Sequence, residues 1–225
     1  MAALRLAQQQ GADGVEIDVQ RTADGHLVVI HDETVDRTAD GSGAVVDLTL
    51  DELSALDASC GMAQYAGERI PTLREVLEWL REGDLMLNIE LKNSIERYPG
   101  MEQETVALVE EYGLADQVVY SSFHHGSVAG LVGAVDASRL AILLSDALVE
   151  PWRYVAGLGI AAVHPGLHLL QESGWVDAAH HAGLQVRAWP VNTRGHVVGA
   201  AVLGVDVVMT DFPDMALQAL QELDD

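Results

Sequence analysis

Glu16 and Asp18 stand two residues apart, with His31 a short way on. In an extended strand, side chains at i and i+2 share a face, so a strand over 14–20 sets the two carboxylates side by side. Val15, Ile17 and Val19 alternate with them, which is the period-2 pattern of such a strand. Asp24-Gly25 is a hairpin signal, and 27–30 is a second apolar run. Folding about 23–25 places His31 opposite Asp18. Two carboxylates and an imidazole at one spot suit a metal site with an adjacent acid/base group. The stretch reads equally as a half-buried hairpin with a polar face. Farther on, Asn88, Glu90 and Lys92 share a face at the end of a predicted strand over 85–91. Glu90 adds a third carboxylate, and Lys92, the only lysine in the chain, adds a positive charge. Three carboxylates without a nearby cysteine make a hard oxygen site for Mg²⁺, Ca²⁺ or Mn²⁺ rather than structural zinc. A structural Glu90–Lys92 ion pair is the alternative; it accounts for the lysine but not for three converging acids.

The elements that position these residues alternate in type. Residues 2–10 read as a helix stopped by Gly11. After the hairpin, 33–69 is an irregular acidic segment that contains a short helix capped by Thr49, with Glu52 three residues later. Another helix spans 73–81, with Leu73, Val76, Leu77 and Leu80 on one side. Further strands are predicted at 118–123, 140–144, 161–164, 186–191 and 205–210. Helices fall near 101–112, 127–133, 147–157, 172–182 and 194–203, and a last one follows Asp214. With 14–20 and 85–91 this makes seven parallel strands, the 27–31 run being the antiparallel return of the hairpin. Repeated βα units mean a (β/α)8 barrel or a doubly wound sheet. Seven strands behind an orphan helix predict an α/β fold of the (β/α)8 TIM-barrel type lacking its first strand. The expected organisation is one domain over 1–225 with a small insertion at 33–69.

Barrel active sites lie at the C-terminal ends of the strands, where Glu16, Asp18, Glu90 and Lys92 fall. His124, His125, Trp189, Asn192 and Asp211 lie at the same ends. Trp189 suits either a pocket wall or the core, and Asp211 suits an N-cap of the last helix. His26, His164, His168, His180, His181 and His196 read as surface or core. Ser121 and Ser122 lack a base or elbow motif, which disfavours a serine hydrolase. No glycine-rich phosphate fingerprint precedes a helix, which disfavours a nucleotide fold.

Composition narrows the partners. A net charge of −23 argues against nucleic acid and anionic membranes, because both need a basic patch. An anionic small substrate then needs local positive charge, most simply a bound cation. No apolar run is long enough to insert in a membrane, and no signal peptide is visible, so a cytoplasmic protein is expected. The single cysteine, Cys60, forms neither an internal disulfide nor a redox motif.

The segments GADGVEIDVQRTADGHLVVIHDETVDRTADGSG, RIPTLREVL, LNIELK, SSFHH, VRAWPVN and VVMTDFPD follow one another from Gly11 to Asp214. In that order they closely resemble the glycerophosphodiester phosphodiesterase family. The resemblance implies a (β/α)8 barrel and a phosphodiesterase of lipid and glycerol metabolism. Such a hydrolase converts small glycerophosphodiesters to glycerol 3-phosphate and an alcohol. It implies a divalent metal ion on Glu16, Asp18 and Glu90, His31 as one of two acid/base histidines, Lys92 on the phosphate, and Trp189 near the glycerol. The family's first-strand His-Arg-Gly motif and the Glu-Asn-Thr segment after it are missing from this sequence. Met1 is read as an internal methionine of a truncated or misassigned start. The alternative is a degenerate member that binds metal and phosphate without turnover. An open sheet edge then leads to an expectation of homo-oligomers.

Overall fold

The computed structural model describes residues 1–224, and the chain divides into two units. The first holds residues 1–8 and 13–118, and the second holds 9–12 and 119 onward.

Helix α1 spans Ala2–Gln9. In the first unit, strand β1 (Gly14–Arg21) pairs antiparallel with β2 (Leu27–Val29) and parallel with a later strand. Between β2 and that later strand run α2 (Leu50–Ser54) and α3 (Leu73–Leu80), with Thr49 and Thr72 closing complete capping boxes on Glu52 and Glu75. The later strand is β3 (Met86–Leu91), followed by α4 (Met101–Glu111). Gly14 opens β1 opposite Met86, and a Cβ there would lie 2.7 Å from the Met86 carbonyl oxygen. Only glycine permits this approach, and it starts the ladder that aligns β1 with β3. Strand β2 ends earlier than its apolar run. The Ile30 amide still donates to Asp18, but the carbonyls of Ile30, His31 and Asp32 all turn to the buried Gln20 side chain. The 33–69 segment packs on the hairpin through a shared core of Val28, Ile30, Val35, Val45, Leu53 and Ile70.

In the second unit β4 (Val118–Ser122), β5 (Leu140–Leu144), β6 (Ala162–Pro165), β7 (Gln185–Ala188) and β8 (Val207–Val208) pair parallel, each with the next in sequence. Between them run α5 (His125–Ala129), α6 (Pro151–Gly157), α7 (Trp175–His181) and α8 (Arg194–Val202), and α9 (Pro213–Asp224) closes the chain. Every residue of β4, β5 and β6 is buried, as continuous apolar strands require. Helix α6 starts later than the composition of 147–157 suggests. Glu150 takes a left-handed φ of 50° and Pro151 opens the helix, so the preceding residues cannot continue it. Strand β7 ends at Ala188, one further bridge joins Trp189 to Gly166, and beyond it the Val191 amide donates to the Met209 carbonyl. Asp211 does not cap α9; it accepts a 2.6 Å hydrogen bond from Asn192.

His164 on β6 has no exposed surface, and neither ring nitrogen has a hydrogen-bond partner among the described residues. Burial first, and the Arg187 guanidinium second, hold its pKa well below the usual value. A native histidine that resists protonation loses stability as pH falls below the unfolded value near 6.5. The urea-unfolding gap between the parent and His164→Leu should therefore move in the variant's favour below about pH 6.5, by up to about 1.4 kcal/mol per pH unit. A gap constant from pH 7.5 to 5 would contradict this.

Candidate active site

Strand register assembles the acidic cluster. Within β1, Glu16 and Asp18 share a face, and the parallel pairing sets Glu16 beside Asn88 and Asp18 beside Glu90. One ligand oxygen from each of Glu16, Asp18 and Glu90 lies within 4.8 Å of the others. Lys92 reaches back from the end of β3, its Nζ standing 3.3 Å from Glu90 Oε1 and 3.6 Å from Asp18 Oδ1. All three of these side chains are nearly buried, whereas Glu16 keeps an open side.

The electrostatics follow from that crowding. Burial, then Asp18, pushes the Glu90 carboxyl up to about 7. Burial also raises Asp18, against the pull of Lys92, and raises Glu16 well above the carboxylate range, with Asp18 and Glu90 adding to it. For Lys92, burial works against the charge, but Glu90 and Asp18 together outweigh it and hold the ammonium above its usual pKa. Three carboxylates against one ammonium leave a deficit of two charges, which one divalent cation cancels. The donor set is all oxygen, so these residues fit a hard divalent ion.

His31 lies one residue beyond the position the hairpin fold suggests. Ile30, not His31, bonds opposite Asp18, because the antiparallel register pairs Val19 with Val29. The His31 ring turns outward, and its Nδ1 stands 2.6 Å from Asp32 Oδ1. Arg37 grips the same carboxylate with Nε at 2.6 Å and Nη2 at 2.9 Å. The Arg37 bonds, and then His31, hold the Asp32 carboxyl well below its usual range. Neither Asp32 nor Arg37 figures in a reading of the sequence by ligand type. Their signal is the His-Asp pair with an arginine five residues after the Asp, and only folded geometry gives that spacing meaning.

The other site residues are placed within the second unit. Trp189 is half-buried, donates from Nε1 to the His164 carbonyl at 2.8 Å, and meets Phe123 edge-on at 5.4 Å. His124 caps α5 by accepting from the Ser127 amide. His125 donates from Nε2 to the Leu143 carbonyl and therefore accepts from the Tyr154 hydroxyl at Nδ1. Both are tied into structural bonds.

Residues 1–215 match the family model described as the glycerophosphoryl diester phosphodiesterase family. A glycerophosphodiester phosphodiesterase from Bacillus altitudinis is 41% identical over 226 residues, covering 99% of this chain and 92% of its own. One from Caldanaerobacter subterraneus subsp. tengcongensis is 38% identical over 224 residues, covering 99% and 91%. Among solved structures, an Oleispira antarctica phosphodiesterase in complex with the product sn-glycerol-3-phosphate superimposes with a TM-score of 0.84. It is 30% identical, with 98% of this chain and 90% of that one covered.

The raised carboxyls make a prediction about metal-free protein. Glu90 binds its proton more tightly folded than unfolded, so its favourable contribution is full below the unfolded carboxylate value and is lost as pH rises through about 7. A divalent cation should restore stability by about 2.7 kcal/mol at a hundredfold excess over its dissociation constant. The gain should be larger at pH 7.5 than at pH 5, where protons compete for the same oxygens. Thermal melts with Mg²⁺, Ca²⁺, Mn²⁺ and chelator at both pH values check this; Glu90→Gln should lose most of the increment.

Proposed function

This chain belongs to the glycerophosphoryl diester phosphodiesterase family of phosphoric diester hydrolases, and from that premise we propose that it hydrolyses glycerophosphodiesters to glycerol 3-phosphate and an alcohol. The observation that carries this is the convergence of Glu16, Asp18 and Glu90 around Lys92 on two register-matched strands. In our proposal the three carboxylates hold Mg²⁺, Ca²⁺ or Mn²⁺. When bound, the cation neutralises charge on the phosphoryl oxygens. Lys92 meets a second phosphoryl oxygen, since its ammonium is already held charged at the site. His31 moves a proton to or from the reacting oxygens through its ring nitrogen, and Trp189 takes the glycerol side, as the family resemblance suggests. The likeness to the Oleispira antarctica phosphodiesterase supports the choice of glycerol phosphate as product.

We further propose one domain, 1–225, forming a (β/α)8 barrel whose first strand is not represented in this sequence, with 33–69 inserted after the hairpin. Among the described residues no helix is long and apolar enough to cross a membrane. The second reading is metal and phosphate binding at the same three acids and Lys92 without turnover.

Assays on glycerophosphocholine and glycerophosphoethanolamine, with each cation, separate the two. The chain should hydrolyse both diesters, far more slowly than a version carrying a His-Arg-Gly first strand. His31→Ala should lower turnover by roughly 10²–10⁴-fold while cation-dependent melting stays unchanged. Cation and glycerol phosphate binding with no hydrolysis in either version would establish the second reading.

A further inference from the structure

The His31 ring is held from two directions. Beneath it, the fully buried Gln20 donates from Nε2 to three successive carbonyls, at 3.0 Å to Ile30, 3.2 Å to His31 and 2.7 Å to Asp32. Gln20 Oε1 in turn accepts from the Tyr98 hydroxyl at 3.1 Å, so the amide cannot flip without losing both sets of bonds. The backbone that carries the imidazole is therefore pinned to β1. Beside it, the Asp32 carboxylate meets Nδ1 with Oδ1 and is gripped across both oxygens by the Arg37 fork.

We propose that Asp32 and Arg37 are positioning residues that fix His31 as the Nδ1–H tautomer and leave Nε2 as the nitrogen that exchanges a proton with substrate. This rests on His31 being a proton-transfer group, as proposed above. The chemistry leaves one assignment. An ionised carboxylate only accepts hydrogen bonds, so Nδ1 must carry the hydrogen at 2.6 Å. Arg37 keeps the carboxylate ionised and also sets its plane, because a guanidinium fork binds both oxygens in one geometry. An exposed ion pair contributes little to stability in general. What this pair does is orient a ring that would otherwise rotate freely on the surface.

The inserted segment thereby gains a role at the site. Arg37 lies in a turn whose Thr38 and Ala39 amides both bond the carbonyl of Val35, and Val35 is fully buried in the core shared with Val28 and Ile30. The same hydrophobic cluster that seats the insertion on the hairpin thus delivers Arg37 to Asp32.

The test reads the tautomer directly. In the ¹⁵N-labelled chain, two-bond imidazole correlations at a pH where histidines are neutral distinguish Nδ1–H from Nε2–H, and His31→Asn identifies the His31 signals. The parent should show Nδ1–H. Asp32→Asn, whose amide donates to Nδ1, should show Nε2–H, and Arg37→Met should show a mixture. Turnover of glycerophosphocholine should fall roughly 10²–10⁴-fold in kcat in Asp32→Asn with KM little changed. An Nε2–H ring in the parent, or an unaltered tautomer in both variants, overturns the proposal. Far-UV circular dichroism establishes that each variant is folded, and Arg37→Met, an exposed substitution, carries the test alone if Asp32→Asn is not. The tautomer reports on the positioning pair by itself. His31→Ala turnover reports on the proton-transfer role by itself, so failure of one is not mistaken for failure of the other.

Discussion

Like-charge repulsion in a poorly hydrated place is the constraint on which the first unit depends. Glu16, Asp18 and Glu90 cannot all remain ionised together without compensation, and the strand ladder gives them no freedom to separate. The Lys92 ammonium supplies part of that compensation, and Lys92 is itself fixed through its backbone amide to Val19. The result is a charge trap built into the sheet rather than into a flexible loop. Such rigidity favours binding, because the groups that meet a ligand need not be ordered on its arrival.

The same hairpin bears two loads. Its inner side chains present acids to the site, and its outer ones, Val28 and Ile30, are two of the six buried residues of the core under the 33–69 segment. A change in that outer core would be felt at Asp32 and His31, since the backbone linking them is bound by a single buried amide, Gln20. Packing and chemistry are therefore not separable here.

Much of this was legible in the residues. The period-2 alternation around Glu16 and Asp18, the Asp24-Gly25 turn, the Thr49–Glu52 capping box and the alternation of strands with helices all stand as read. Local chemistry dictates them, so local pattern reveals them. What stayed hidden needed register or long-range partners. The pairing of Asp18 with Glu90 is set by the Gly14–Met86 approach, and the one-residue offset of His31 by the hairpin ladder. The fork from Arg37 to Asp32 joins an exposed side chain to a half-buried one that composition gives no reason to connect. At Glu150 the left-handed backbone overrides helix propensity before Pro151. His164 gives no sequence signal of its full burial, since a histidine inside an apolar strand is compatible with either face.

A protein with one lysine carries its own reporter. Lys92 is the only side-chain amine in the 225 residues, so a mild acylating reagent has a single side-chain target, and it lies among the acids. While those acids hold it protonated, the amine is a poor nucleophile. Anything that takes over their charge loosens that hold, so the acylation rate at one atom would register occupancy of the pocket without a substrate, a chromophore or a coupled enzyme.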